Sequence, residues 1–261
     1  MKLLILTKRS LVSIGFCMII GVLAAAVAVT STVRAVQTAA QPKEIPIYRV
    51  QSDKKEVAIS FDAAWGNEET EQLLDILDEH DVKATFFLVG DWVDKYPDDV
   101  KNIAAHGHDI GNHSDTHPHL PQLSTENATS EIQRCNEKIE ALTGSAPTLF
   151  RPPYGDYNND VVLTARAMGY EVIQWSVDSL DWKNLGVQPM IDRATKSVRS
   201  GDIVLFHNDS QYILEALPAI LKSYQAQGYT VVPVSQLLLP GETTIDVQGR
   251  QHAAAATIPE V

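Results

Sequence analysis

The 261-residue sequence predicts an α/β fold in which helices cover a parallel β-sheet. Short apolar runs alternate with amphipathic stretches through the middle of the chain, and this alternation is typical of parallel sheets. Two of the runs, ATFFLV at 84–89 and DIVLF at 202–206, are apolar at nearly every position, as expected of strands buried on both faces. The pattern fits an open doubly wound sheet and a (β/α) barrel equally well.

Seven strands and six helices follow one another along the chain. The predicted strands are 57–61, 84–89, 108–113, 148–151, 171–175, 202–206 and 230–234. The predicted helices are 68–79, 97–105, 124–142, 158–168, 188–199 and 211–227. In the third helix, Ser124 or Thr125 is suited to cap the amino end and Gly144 to end the helix.

The amino terminus has the pattern of a membrane segment. Residues 1–9 form a basic flank that we expect to stay in the cytoplasm. Residues 10–33 carry no charge and are long enough to span a bilayer, as a retained anchor or as a signal cleaved after Ala35. We therefore expect a single-pass protein of the cell membrane with its folded part outside the cytoplasm, or a secreted protein if the segment is cleaved.

Composition divides the rest of the chain into three parts. Residues 34–53 have the polar, aperiodic character of a linker, and residues 54–240 hold the strand and helix patterns. Residues 241–261 contain little to bury, so we expect a poorly ordered tail.

Charge and cysteine content exclude some classes of function. The formal net charge is −12 and no basic run follows the amino terminus, which argues against nucleic acid as a partner. Cys17 lies in the apolar run and Cys135 in a helix-like stretch, so we expect neither a disulfide nor a cysteine-based zinc site.

Polar residues stand where several predicted strands end, and the carboxyl ends of parallel strands meet at one edge. Asp62 follows an apolar run and needs a partner there, unless it caps the next helix. Arg151 can supply a planar guanidinium, because two prolines fix the backbone after it. His207 also follows an apolar run; it is either a core histidine bonded to a carbonyl or, with Asp181 as partner, a general acid.

Five of the eight histidines fall between positions 106 and 119. His113 and His117 have helical i, i+4 spacing, so on one turn they would share a face and form half of a site for a divalent ion. Pro118 should end that turn at His117. The alternative is a polar loop that happens to contain histidine. His106, His108 and His119 are weaker candidates.

The motifs SFDAAWG, HSDTH, RPPYG, DSLDW and LFH occur in this order over about residues 54–240. Together they resemble the polysaccharide deacetylases of carbohydrate esterase family 4, the NodB homology domain. The resemblance implies a distorted (β/α) barrel of about seven strands. It also implies a divalent metal ion and hydrolysis of N-acetyl groups on a cell-wall aminosugar polymer such as peptidoglycan. The form FDAAWGNE is similar to a sporulation-associated branch.

The same resemblance implies a role for each matching residue. Asp62 matches the catalytic base, Arg151 the residue that holds the base, His207 the general acid and Asp181 its orienting carboxylate. The matches to metal and substrate residues are His113 and His117 as metal ligands, Trp182 and Leu205 as walls of the acetyl pocket, and Tyr154 as the source of a backbone N–H for the oxyanion.

One position departs from the family pattern. Ala63 stands where the family has a second aspartate, the third metal ligand. Asp62 or water would have to complete the coordination of the ion, which we expect to be zinc, with cobalt or manganese as alternatives. A catalytically impaired carbohydrate-binding domain therefore stays open. So does a glycoside hydrolase that uses Asp62 and Asp181 as paired carboxylates. We expect a monomer.

Overall fold

The computed structural model describes residues 42–254, and those from Glu44 onward belong to one compact unit. The predicted basic flank at 1–9 and the membrane segment at 10–33 lie outside the described residues, as do 34–41 and 255–261. Between residues 42 and 254 no helix has both the length and the apolar character needed to cross a membrane.

Strands and short helices alternate along the described chain. The strands are β1 (Arg49–Val50), β2 (Glu56–Ala63), β3 (Thr85–Leu88), β4 (Asp109–Asn112), β5 (Leu149–Phe150), β6 (Glu171–Val172), β7 (Val177–Asp178), β8 (Ile203–His207), β9 (Thr230–Val232), β10 (Thr243–Ile245) and β11 (Arg250–Ala253). The α-helices are α1 (Thr70–Glu79), α2 (Gly90–Lys95), α3 (Pro97–Ala105), α4 (Thr125–Thr143), α5 (Asn159–Ala167), α6 (Val187–Thr195), α7 (Ile213–Ala226) and α8 (Val234–Leu237).

The main sheet is parallel throughout and runs β6-β5-β4-β3-β2-β8-β7, with β9 also paired to β2. Ala58 of β2 pairs with both Ile203 of β8 and Val232 of β9, so β9 lies on the edge of β2 opposite to β8. All seven predicted strands and all six predicted helices are present. The predictions missed six short elements, which have too few residues to show a period: β1, β7, β10, β11, α2 and α8.

Arg151 shows that the sheet is curled. Its Nη2 donates to Ser60 Oγ of β2 at 2.9 Å and to the Gln174 carbonyl just after β6 at 3.2 Å. These two acceptors therefore lie within about 6 Å of each other, whereas four strand spacings in a flat sheet span roughly 19 Å. The strands wrap around the Arg151 side chain. Since β6 and β7 are not paired with each other in the described structure, the sheet is a curled half-barrel.

Both faces of β2 are buried, against different partners. Phe61 and Ala63 belong to the apolar cluster that also contains residues of α1, α2 and α7. Ala58 packs instead with Phe87 in a second cluster. Ser60 and Asp62 lie two and four residues after Ala58 in β2, so they are on the same face of the strand as Ala58. This alternation sends the polar side chains of β2 to the inside of the half-barrel.

The expectation of a poorly ordered tail is wrong for residues 241–254, and the linker boundary at residue 53 lies too far along the chain. Strands β10 and β11 form an antiparallel hairpin, and β11 pairs in parallel with β1. The hairpin turn has a sequence signal that we missed: Asp246 Oδ1 accepts from the N–H of Gln248, and Gly249 has φ 75°. Aspartate followed three residues later by glycine favours such a turn.

Candidate active site

Two polar residues stand side by side at the carboxyl edge of the half-barrel. Asp62 near the end of β2 and His207 at the end of β8 are partners in the register of adjacent strands. Asp62 is only 5% exposed, and both side chains line one cleft of about 460 Å³. The predicted convergence of these strand-end residues is confirmed.

Asp62 is held by a buried ion pair. Arg151 Nη1 donates to Asp62 Oδ1 at 2.6 Å, and the guanidinium lies 4.1 Å from the ring centroid of Phe87. Burial acts to raise the pKa of Asp62, but the charge of Arg151, the neighbouring imidazoles His113 and His207 and the hydrogen bond from Arg151 together outweigh it and leave the pKa below its usual range. The predicted pairing of Asp62 with Arg151 is confirmed, and it keeps the carboxylate ionised in one orientation.

His207 is oriented by Asp181, as predicted. His207 Nδ1 donates to Asp181 Oδ1 at 2.8 Å, and the His207 backbone N–H donates to Oδ2 at 2.7 Å. Burial acts to lower the pKa of His207, but the hydrogen bond and charge of Asp181 reverse this and raise the pKa. Because Nδ1 carries the proton shared with Asp181, Nε2 is the atom left to meet a substrate.

The contacts of Asp181 argue against paired catalytic carboxylates. Both of its oxygens accept hydrogen bonds from His207, and Oδ1 also accepts from the N–H of Trp182. Asp181 is buried and does not line the cleft, so it has no oxygen free to face a glycosidic bond.

His113 and His117 meet, but not on a helical turn. Residues 113–119 form a loop in which Ser114 and His117 have φ of 66° and 58°. Asn112 Oδ1 accepts from the N–H of Ser114, and Ser114 Oγ accepts from the N–H of His117, which fold the loop back on itself. The expected helix is therefore wrong, although the two Nε2 atoms lie 3.3 Å apart.

The imidazoles present a half-site for a cation. His113 Nδ1 donates to the Arg151 carbonyl at 2.7 Å, so a neutral His113 keeps its lone pair on Nε2, 3.4 Å from Asp62 Oδ2. Burial lowers the pKa of His113, and it lowers that of His117 to about 3. Among residues 42–254 no group of three or more potential ligands is placed to hold a metal ion. His113 and His117 are the residues that would hold such an ion. Among the described residues, Ala63 occupies the position of the family's third ligand; it has no donor atom and is buried in the apolar cluster.

Helix α4 fixes this loop from outside. Asp115 forms ion pairs with Arg134 at 2.7 Å and Lys138 at 2.6 Å, both on α4. Glu131 Oε2 accepts from the N–H of Thr116 at 2.8 Å. None of these residues is among the predicted site residues, and their only signal in the sequence is the Asp-Thr pair between the two histidines.

Aromatic and apolar side chains complete the cleft. Trp182, Leu205 and Tyr154 line it, as predicted, but so do Trp65 and Trp175, which we did not predict as site residues. The complete lining is Asp62, Ala64, Trp65, His113, His117, Tyr154, Trp175, Asp178, Trp182, Leu205 and His207. Whether the backbone N–H of Tyr154 serves an oxyanion stays a prediction.

The other three histidines of the cluster do not line the cleft. His106 Nδ1 donates to Asp78, and His108 Nδ1 accepts from the N–H of Ala84 at the opposite end of β4. His119 stacks on Tyr154, with ring centroids 4.2 Å apart, at the rim.

A curled parallel β/α sheet that carries an ionised Asp–Arg pair, a His–Asp pair and two adjoining imidazoles at its carboxyl edge defines an acid–base hydrolytic site. The family model for polysaccharide deacetylases matches residues 49–173. The chain belongs to the polysaccharide deacetylase family, and the relatives named as peptidoglycan deacetylases are hydrolases that act on amide bonds.

Relatives differ in what is said of their activity. Peptidoglycan-N-acetylglucosamine deacetylase of Bacillus cereus is 37% identical over 203 residues, or 76% of this chain and 95% of that protein. The uncharacterized protein YlxY of Bacillus subtilis is 36% identical over 193 residues, which cover 74% of this chain but only 60% of that protein.

A solved structure gives a further comparison. BA3943 of Bacillus anthracis, described as a pseudoenzyme of the CE4 family, is 38% identical. It matches with a TM-score of 0.71 over 74% of this chain and 68% of that one. A mutant of BA3943 is described as having restored enzymatic activity, and it matches with a TM-score of 0.72.

Proposed function

We propose that this chain removes acetyl groups from N-acetylated aminosugars of a cell-wall polysaccharide, and that the polymer is peptidoglycan. The observation that carries the proposal is the pairing of Asp62 with His207 on adjacent strands, each fixed by its own buried partner. The peptidoglycan deacetylases among the relatives support the choice of polymer.

The two side chains divide the proton transfers of amide hydrolysis. Asp62 is an ionised carboxylate, so it accepts a proton from the water molecule that attacks the acetyl carbonyl carbon. His207 in its protonated form donates from Nε2 to the sugar nitrogen as the C–N bond breaks. The products are acetate and the free amine, and Asp181 stabilises the imidazolium throughout.

We further propose that His113 and His117 hold a divalent ion, which we take to be zinc, with cobalt or manganese as alternatives. When bound, such an ion supplies a positive charge that polarises the acetyl carbonyl. The hydrogen bond from His113 Nδ1 to the Arg151 carbonyl orients the His113 ring for this purpose.

A second function is favoured by Ala63. The missing third ligand and the likeness to a protein described as a pseudoenzyme support a chain that binds the glycan without hydrolysing it. Such a protein would keep the cleft and the buried Asp62–Arg151 pair but would release no acetate.

Acetate release from peptidoglycan and from acetylated chitooligosaccharides separates the two functions, with the metal content of the same preparation measured in parallel. Under the first function, Asp62→Asn and His207→Gln abolish release. His106→Gln is the matched control, because that imidazole contacts Asp78 outside the cleft. Glycan binding without acetate release, in the presence of zinc, cobalt or manganese, would establish the second function instead.

We also propose that residues 10–33 anchor the chain and that the catalytic unit lies outside the cytoplasm, which the basic flank at 1–9 supports. Protease added to intact cells is expected to remove the unit. Protection until the membrane is lysed would contradict this orientation.

A further inference from the structure

Trp65 stands in the loop after β2 at one end of the cleft. Its side chain is 56% exposed, yet it lines the same cavity as Asp62 and His207. The indole ring packs against the His117 imidazole in a T-shaped arrangement, with centroids 5.4 Å apart. An isolated exposed aromatic is ordinary on a protein surface, so its function depends on how firmly the loop holds it.

The loop is fixed by two side chains from elsewhere in the fold. The Gly66 carbonyl accepts from Trp92 Nε1 at 3.0 Å and from Asn208 Nδ2 at 2.8 Å, and both donors are buried. A Cβ added at Gly66 would lie 2.5 Å from Glu68 Oε2, the end of an exposed side chain. Trp65 is thus held in place with much of its ring in water, a preorganised surface for a ligand.

We propose that Trp65 forms a sugar-binding subsite on which a neutral pyranose ring stacks, next to the residue that carries the reacting acetamide. This inference rests on the proposed function, and it adds a second point of contact between the protein and the same glycan strand. The ring presents a flat apolar face continuous with the catalytic cleft, and the C–H face of a pyranose is its complement.

Charge favours a neutral sugar at this subsite. Glu68 and Asp209 both lie beside Gly66: Asp209 Cβ would be 3.4 Å from an added Cβ there. Among the described residues that line the cleft there is no lysine or arginine. An N-acetylglucosamine unit meets no repulsion at Trp65, whereas the carboxylate of a muramic acid unit does.

The test measures binding by the full-length chain with chelator present, so that no turnover interferes. N-acetylglucosamine and its β-linked tetramer are titrated while the indole N–H signals are followed by NMR. Trp65→Ala is expected to weaken tetramer binding about tenfold, the change expected when roughly 55 Å² of apolar contact is lost. Monomer binding should change less than about twofold, because a single sugar occupies the reaction position alone. Trp65→Phe should recover most of the loss.

Two further variants sharpen the test. Leu163→Ala, an exposed apolar residue on α5 away from the cleft, should leave both titrations unchanged. Glu68→Gln should strengthen binding of a muramic-acid-containing tetrasaccharide but not of the neutral tetramer. Equal losses for monomer and tetramer in Trp65→Ala, an unchanged tetramer affinity, or a parent chain that binds no tetramer would overturn the subsite. Absence of acetate release would contradict catalysis and leave these binding results standing.

Discussion

Replacing Arg151 with methionine tests how much of the fold depends on the buried ion pair. The substitution removes the hydrogen bonds to Asp62, Ser60 and the Gln174 carbonyl, and it leaves a carboxylate that is 5% exposed without a counter-charge. Losing one partner of a buried pair costs about 3–5 kcal/mol of unfolding free energy. For a unit of this size that corresponds to a fall in melting temperature of roughly 6–20 °C.

A double-mutant cycle in chelated protein isolates the pair. Asp62→Asn alone should also be costly, because it leaves the Arg151 guanidinium buried and unpaired. Combined with Arg151→Met it should cost at least about 2 kcal/mol less than the two single effects together. Lys196→Met is the control, because its ion pair with Asp192 lies at the surface and contributes little to the free energy of unfolding. Additive losses in the cycle would refute the coupling.

The pH dependence of the same variants gives a second check. In the parent, the folded-state pKa of Asp62 lies below its unfolded value. The ionised Asp62 carboxylate therefore contributes to the free energy of unfolding above its unfolded pKa of about 4. This contribution is lost as the pH falls through the folded pKa. In Arg151→Met, Asp62 is buried without the compensating positive charge, so its folded pKa rises above its unfolded pKa. The variant therefore keeps its stability at low pH and loses stability as the pH rises. The stability gap between parent and variant should widen between about pH 3 and 7. A constant gap would contradict the argument.

Three other outcomes follow from the structure. Asp181→Asn removes the carboxylate that raises the pKa of His207. The alkaline limb of the pH–rate profile for acetate release should therefore shift to lower pH than in the parent, and an unchanged profile would contradict this. Ala63→Asp should tighten zinc binding in calorimetry with equal or lower turnover, because position 63 is where the family resemblance places the aspartate that serves as third metal ligand; unchanged affinity would mean that position 63 faces only the helices, as Ala63 does in the apolar cluster. Ending the chain at residue 240 removes β10 and β11 and uncovers Val50, which should lower the unfolding free energy by about 2 kcal/mol for roughly 80 Å² of apolar surface; an unchanged melting temperature would count against a structural role for the hairpin.

Sequence patterns predicted the parts of this molecule that repeat or that stand at strand ends. Helix α4 begins and ends where Ser124 and Gly144 indicated: Ser124 Oγ accepts from the N–H of Asn127, and Gly144 has φ 73°. The residues Asp62, Arg151 and His207 met because parallel strands end at one edge, which is a property of topology and can be read from order alone.

The features that the sequence did not predict depend on contacts between residues, which a pattern along the chain does not show. The i, i+4 spacing of His113 and His117 suggested a helix, but left-handed residues and side-chain hydrogen bonds bring the rings together in a loop. Gln251 of β11 is a buried polar residue whose side-chain Oε1 accepts a hydrogen bond from the N–H of Leu239. A hydropathy pattern gives no sign of such a hydrogen bond. Trp65 is marked by its rigid support, which comes from Trp92 and Asn208 far away in sequence.

The position of Arg151 inside the half-barrel has a consequence for how this family diverges. Because the guanidinium joins β2 in the interior of the curled sheet to the end of β6 at its edge, the carboxylate that pairs with it is needed for a stable chain whether or not the chain is a catalyst. A lineage released from selection for deacetylation would therefore retain Asp62 and Arg151 by purifying selection on folding. The residues free to drift would include His117, whose Nδ1 has no hydrogen-bond partner among the described residues. Loss of activity in such lineages should begin at the cation half-site and reach the ion pair last.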